Sequence, residues 1–316
     1  VAKLPFSVSV DVVEPSEAAR QLAQARLKEV ACSPGSSFSW HNSVHDLKSS
    51  NSDLVIVATS AAGRVGIIGQ LLESGHTRFL VEKMVCQSTR EYDTLLRQIK
   101  SRDAKGWVNT PRRYFESYRK IKENISSSGP IHMSVVAGNL GLGSNAIHFL
   151  DLFSWFCKDY EVSLSGEFLY DRLLPNKRSQ NLVEMAGTIL GASKNHSIIE
   201  ISFIPYDDDD GNGGNGSIPL TVDLISKDMH AVIDETAERV TVLRPEKDSS
   251  PLNGLLFHNE YVSDTTTRIA ADILADDRCA LPSIEQSYFA HSELFRIFNA
   301  HISKLAGRET ELCPVT

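Results

Sequence analysis

The sequence lacks the features that mark several protein classes. No apolar run approaches the roughly 18 residues that a membrane-spanning helix requires. The opening stretch VAKLPFSVSV has no charged leader, long apolar core or small-residue cleavage site of the kind a signal peptide carries. Basic charge is in deficit: 32 Lys and Arg stand against 40 Asp and Glu, a formal net charge of −8, with no basic run or stripe. That balance argues against nucleic acid or an anionic membrane as partner. Cysteine is scarce and odd in number. Cys32, Cys86, Cys157, Cys279 and Cys313 are scattered without a C-x-x-C pair, which suggests neither a zinc site nor a disulfide framework. Reduced thiols of this kind fit a cytoplasmic protein. No internal repeat is visible, and no metal site is expected.

At 316 residues the chain is long enough for two hydrophobic cores. Its first third alternates strand-like and helix-like segments. FSVSVDVVE (6–14) is apolar and β-branched, and PSEAARQLAQARLKE (15–29) is helical in composition behind a Pro-Ser start. A Ser/Gly/Pro-rich loop follows. DLVIVATS (53–60) has the apolar centre of a strand buried on both faces, and AAGRVGIIGQLLESGH reads as a helix closing on Gly75. TRFLVEK is a strand, STREYDTLLRQIKSR (88–102) an amphipathic helix with Ser88 and Glu91 in capping positions, KGWVNT a strand and RRYFESYRKIKENI (112–125) a helix. Such alternation predicts a parallel sheet with right-handed crossovers. The texture changes at SSSGP (126–130). A strand (131–139) and a strongly apolar helix, SNAIHFLDLFSWF (144–156), lead into successive strands with hairpin-like connections, and helices return at TTTRIAADILA and 284–305. The expected fold is α/β plus α+β: an incomplete N-terminal Rossmann-like parallel sheet over 1–123, then a C-terminal domain over 124–316 with a large, mostly antiparallel sheet.

Open α/β sheets bind ligands beyond the carboxyl ends of their strands. A dinucleotide site there calls for a first strand, a G-x-G-x-x-G turn, and an acid about 20 residues on. Glu14 ends the 6–14 strand and suits a ribose 2′-OH; as a helix-start carboxylate ahead of Pro15 it has an equally good reading. The glycine turn is missing from its place. The one literal match, GNGGNG (211–216), follows four aspartates that repel a pyrophosphate and precedes a strand, so it reads as a hairpin loop. Calcium binding by the same run is disfavoured by the absence of a following glutamate ligand. The sheet thus reads as lacking its first strand and glycine loop, through truncation, processing or divergence. Weak dinucleotide binding and exposed apolar surface on 6–14 and 53–60 are the expected consequences.

Four short motifs stand in order: Ala58-Thr59-Ser60, Glu82-Lys83-Met84 at the end of FLVEKM, Asn109 with Arg113-Tyr114, and Gly143 with His148-Phe149-Leu150-Asp151. Together they resemble the Gfo/Idh/MocA family of glucose–fructose oxidoreductases and inositol dehydrogenases, from about residue 6 to the C-terminus. The resemblance implies hydride transfer between NAD or NADP and a hydroxyl carbon of a sugar or nucleotide sugar. It implies that Lys83 contacts the reacting oxygen and the nicotinamide ribose, and that His148 is the acid/base. Those roles suit the residue types, since imidazole titrates near working pH and an ammonium stabilises an alkoxide. It also places Glu14, Thr59, Ser60, Glu82 and Asn109 along the cofactor, and Arg113, Ser144 and Asn145 at the substrate.

Two positions depart from the family. Ser144 stands where a relay aspartate one turn before the histidine is usual, and Met84 stands where proline follows the lysine. Asp151 reads as a helix anchor. Lys177 and Arg178, ahead of a strand carrying Glu184, suit a phosphate or carboxylate of the substrate or a solvated loop. The S-N-x-I-H variant resembles proteins of bacterial surface-polysaccharide synthesis. A non-catalytic sugar-binding or regulatory member is the competing reading, and a homo-oligomer formed through the antiparallel sheet is expected in either case.

Overall fold

A computed structural model describes residues 1–48, 51–125, 129–176, 179–205, 219–243, 255–276 and 278–315. The first strand, β1 (Ser9–Val13), runs through helix α1 (Glu17–Lys28) into β2 (Ser37–His41), which pairs with β1 in parallel from Ser9 opposite Ser37. β2 lies inside the Ser/Gly/Pro-rich stretch that reads as loop. Its Phe38 and Trp40 alternate with serines, and the pairing with β1 overrides weak local propensity. A second parallel sheet, with order β3-β4-β5, contains β3 (Val55–Val57), β4 (Arg78–Val81) and β5 (Lys105–Val108), joined by helices α2 (Arg64–Glu73) and α3 (Thr89–Ser101).

No ladder joins β1 to β3 among the described residues, so the parallel part is two sheets. Ile56 of β3 is 39% exposed, on the face it shares with Leu80. In β4, Phe79 and Val81 join the main core with α2 and α3, while Leu80 faces the other way with Trp107, Ile269 and Ile273. The 112–125 segment is broken: a 3-10 turn at Pro111–Tyr114 gives way at Phe115, whose ψ of 126° is extended, to helix α4 (Glu116–Asn124).

Beyond it, strand β6 (His132–Gly138) leads into α5 (Leu142–Cys157). Then come β7 (Val162–Leu169), the short β8 (Leu174–Pro175) and β9 (Val183–Glu184), β10 (Gly187–Ser193), β11 (Ile198–Ile204), β12 (Leu220–Ile225), β13 (His230–Asp234) and β14 (Arg239–Leu243). Seven of these form one sheet, β14-β13-β12-β6-β11-β10-β7, in which only the β6–β11 ladder is parallel. Between β9 and β10 the backbone turns at Gly187, whose φ is +112°, so the two are separate strands.

One face of the large sheet buries Met133, Val135, Ile199, Ile201, Phe203, Val222 and Ile233. Helix α5 supplies its cover: twelve of its sixteen residues are buried, as expected of a helix apolar nearly all round, and Phe149 meets Phe203 edge-on at 5.9 Å. The outer face alternates polar side chains with exposed Val136, Ile198, Ile225 and Leu243. Two helices close the chain, α6 (Val262–Asp276) and α7 (Ile284–Ala306). α6 covers the Leu80–Trp107 face of the parallel sheet, and α7 packs against α3, α5, β5 and β7, along the seam between the two large layers.

Candidate active site

The carboxyl ends of β3, β4 and β5 converge on one rim, and an arginine ties them together. Arg64 opens α2 and is 1% exposed; its guanidinium donates to the carbonyls of Thr59, Glu82 and Met84. Burial lowers its pKa to about 10, which leaves it cationic at neutral pH. Three strand-end carbonyls with one multi-pronged donor make a rigid platform. Its signal in the sequence is a lone charge in AAGRVGIIG. Glu82 pairs across the rim, accepting from Asn109 Nδ2 at 3.0 Å, and Asn109 Oδ1 is buried without a partner. A cleft lined by Ile56, Ala58, Leu80, Glu82, Asn109 and Thr266 opens beside them. Thr59 and Ser60 are exposed at the same rim.

Lys83 follows at once, 8% exposed, and the Lys83–Met84 peptide is cis. Its Nζ donates to the carbonyl oxygen of Ser144 at 2.5 Å, in the first turn of α5. His148 stands one turn further along that helix. It is half-buried, with Nδ1 unpartnered. Burial first, then the charges of Lys83 and Arg112, hold the imidazole well below its ordinary pKa, so it is neutral at physiological pH. Lys83 and His148, 65 positions apart in sequence, therefore share one electrostatic environment.

The amino end of α5 has an unusual cap. Gly141, at the N-cap, has no side chain to offer; Glu184 of β9 supplies the acceptor, its Oε2 taking the Ser144 N–H at 3.2 Å. Asn145 is committed to the same turn, donating to the Gly141 carbonyl at 2.9 Å and to Ser144 Oγ at 3.0 Å. The C-terminal segment closes the back of this turn. Cys313 N–H donates to the Gln87 carbonyl, Val183 N–H to the Pro314 carbonyl, and Val315 lies against Gly143.

Several expected residues lie elsewhere. Arg113, expected at the substrate, is 2% exposed and makes a two-pronged pair with Asp151 at 2.9 and 2.6 Å. Its 3-10 turn aims it inward at α5, so it anchors that helix rather than meeting a ligand. Glu14 accepts the Ser16 N–H at 2.8 Å at the start of α1, in the β1–β2 sheet. Lys177, Arg178 and the GNGGNG run lie outside the described residues. Arg112, absent from the sequence reading, forks onto Glu235 at 3.1 and 3.2 Å beneath Tyr118 and lies 4.3 Å over the Phe149 ring. Burial raises the thiols of Cys86, Cys157, Cys279 and Cys313, so none of the four is a ready thiolate. No group of three or more His, Cys, Asp or Glu among the described residues is placed to hold a metal, and no helix among them is long and apolar enough to cross a membrane.

No family model and no curated protein matches the sequence. Solved structures do match the whole architecture. GenD2 of gentamicin A biosynthesis, solved in complex with NAD, superposes with a TM-score of 0.67 at 15% identity, covering 98% of this chain and 97% of its own. The WlbA dehydrogenase from Bordetella pertussis, in complex with NADH and UDP-GlcNAcA, gives 0.66 at 13% over 93% and 88%. The UDP-N-acetylglucosamine 3-dehydrogenase GnnA from Acidithiobacillus ferrooxidans gives 0.63 at 14% over 89% and 86%. The chain has the fold of these dehydrogenases. Its parallel layer, mixed sheet and intervening α5 follow the same plan, and its rim of strand ends lies where open α/β sheets bind their ligands.

Proposed function

We propose that the chain is an NAD(P)-dependent oxidoreductase of the Gfo/Idh/MocA type, moving hydride to or from a hydroxyl carbon of a sugar or nucleotide sugar. The observation that carries this reading is the tether of buried Lys83 to Ser144, one turn from a neutral His148 that feels its charge. The dehydrogenases that share the fold, with their dinucleotide and nucleotide-sugar ligands, support it.

The rim fits the nicotinamide half of a dinucleotide. The buried, unpartnered Asn109 Oδ1 offers a hydrogen-bond acceptor, Glu82 is oriented by the Asn109 amide, and Thr59 and Ser60 are open to solvent. When bound, the nicotinamide supplies the hydride acceptor or donor. The protein's own share is electrostatic. In the oxidation direction the Lys83 ammonium stabilises the alkoxide, and the neutral imidazole of His148 takes the hydroxyl proton. Ser144 and Asn145, beside them in the first turn of α5, hold the shape of that turn next to the substrate. Copies of the chain associate through the outer face of the large sheet, where Ile198, Ile225 and Leu243 are exposed.

The test is nicotinamide absorbance with NAD or NADP over a panel of sugars and nucleotide sugars. Lys83→Met is expected to lower kcat/KM by about two to four orders of magnitude, and His148→Asn by a similar factor. The double variant is expected to lose little more, since both groups serve one transition state. Full activity in both single variants would sink the assignment.

A further inference from the structure

Taking Lys83 in the role just given, we propose that Glu184 is its positioning residue: a buried carboxylate at the amino end of α5 that fixes the ammonium's direction and holds its charge. The geometry passes through a single residue. Ser144 gives its N–H to Glu184 Oε2 at 3.2 Å and takes Lys83 Nζ on its carbonyl at 2.5 Å. A carboxylate and an ammonium are thereby held on the two polar groups of one residue.

The surrounding sequence makes room for that carboxylate. A Cβ added to Gly141 would lie 2.1 Å from Glu184 Oε2, and one added to Gly143 would lie 3.0 Å from it. Any side chain at Gly141 would displace the acid. Glu184 is 8% exposed, and a carboxylate so buried needs compensation. Burial raises its pKa, opposed by the hydrogen bonds from Ser144 and by the positive charge of Lys83. The α5 terminus adds its own positive end. The neighbouring Cys313 thiol is pushed up by its own burial and stays neutral. Glu82, next to Lys83 in the chain, pairs with Asn109. In NLVEMAG the residue shows as a single charge inside an apolar strand.

The test needs neither substrate nor cofactor, so it is separable from the fate of the oxidoreductase reading. Trace reductive methylation of the whole chain is followed by peptide mass spectrometry at Lys83, with exposed Lys100 as internal control. E184Q keeps the shape and the acceptor for Ser144 but removes the anion. It is expected to label Lys83 about three- to tenfold faster, because the amine loses its proton more readily, with Lys100 unchanged. E184D, which keeps the charge, is expected to stay within about twofold of the native chain. An unchanged Lys83 rate in E184Q overturns the proposal even if the chain turns over sugars. Equal acceleration in E184D and E184Q overturns it too, since that outcome reports opening of the site and not loss of charge. Should circular dichroism show that E184Q does not fold, Gly141→Ala, whose Cβ would take the place of Glu184 Oε2 and move the carboxylate away, is expected to label Lys83 about twofold faster or more. An unchanged rate there overturns the proposal.

Discussion

The β1–α1–β2 unit and the β3–α2–β4–α3–β5 unit follow the same strand–helix alternation, yet only the second has an interior. No residue of β1, α1 or β2 is buried, and Leu22 of α1 is 53% exposed. In the second unit Ile68, Phe79, Val81 and Leu95 are fully buried. Both units form parallel ladders. The difference lies in the layers: helices α2 and α6 cover opposite faces of β3-β4-β5, whereas β1 and β2 gain no comparable cover. Alternation sets topology. Burial requires a second layer, and stability follows burial.

Hydrogen exchange offers the sharpest test. Amides of β4 are expected to exchange only with global unfolding and those of β1 by local opening, so protection differs by about three orders of magnitude or more. Equal protection would break the comparison. Core truncation comes next. Phe79→Ala is expected to cost about 3–5 kcal/mol in denaturant unfolding, against about 1 kcal/mol or less for half-buried Phe38→Ala. Removing the Arg64 guanidinium in Arg64→Met leaves three carbonyls unpartnered and is expected to cost about 3 kcal/mol, whereas Arg20→Ala in α1 changes little.

Acid acts on the second unit through His291, which accepts the Val85 N–H at 3.2 Å and whose pKa burial lowers from 6.5 to about 4. The unfolded chain takes up that proton first, so its contribution is intact above pH 6.5 and lost as pH falls towards 4. The loss amounts to about 3 kcal/mol. Glu184 and Asp151, raised by burial, work in the opposite sense. The difference between native and His291→Gln stability curves isolates the histidine, and parallel curves would count against it. The smallest effect is at the helix caps. Ser88→Ala, removing the acceptor for Glu91 N–H, is expected to lower global stability by about 1 kcal/mol, while Ser16→Ala should only fray α1.

Much of the second unit was legible because its residues obey local rules. The capping pair Ser88 and Glu91 marks α3, apolar runs ending on polar residues mark β3 and β4, and beyond that unit SNAIHFLDLFSWF marks α5. The strand end at Lys83 and the helix carrying His148 were both readable from those patterns. β2 was not, because its serines carry no strand signal until β1 lies beside it. Arg113 was placed at the substrate because a motif gives order along the chain but not the direction of a side chain. Glu184 and Arg64 were missed as parts of the site for the same reason: each shows only as one charge in an apolar segment, and its partner lies on another element.

The contacts of Cys313, Pro314 and Val315 with Gln87, Val183 and Gly143 also set an order in time. A ribosome delivers Lys83 before His148, yet the turn that holds them is backed by residues more than 160 positions further on than His148. A nascent chain therefore passes through a stage in which strands β3, β4 and β5 are all made and the lysine has no finished wall to rest against. Contacts of such long range form late. Until those residues emerge, the charged groups of the candidate site are present without the geometry to use them.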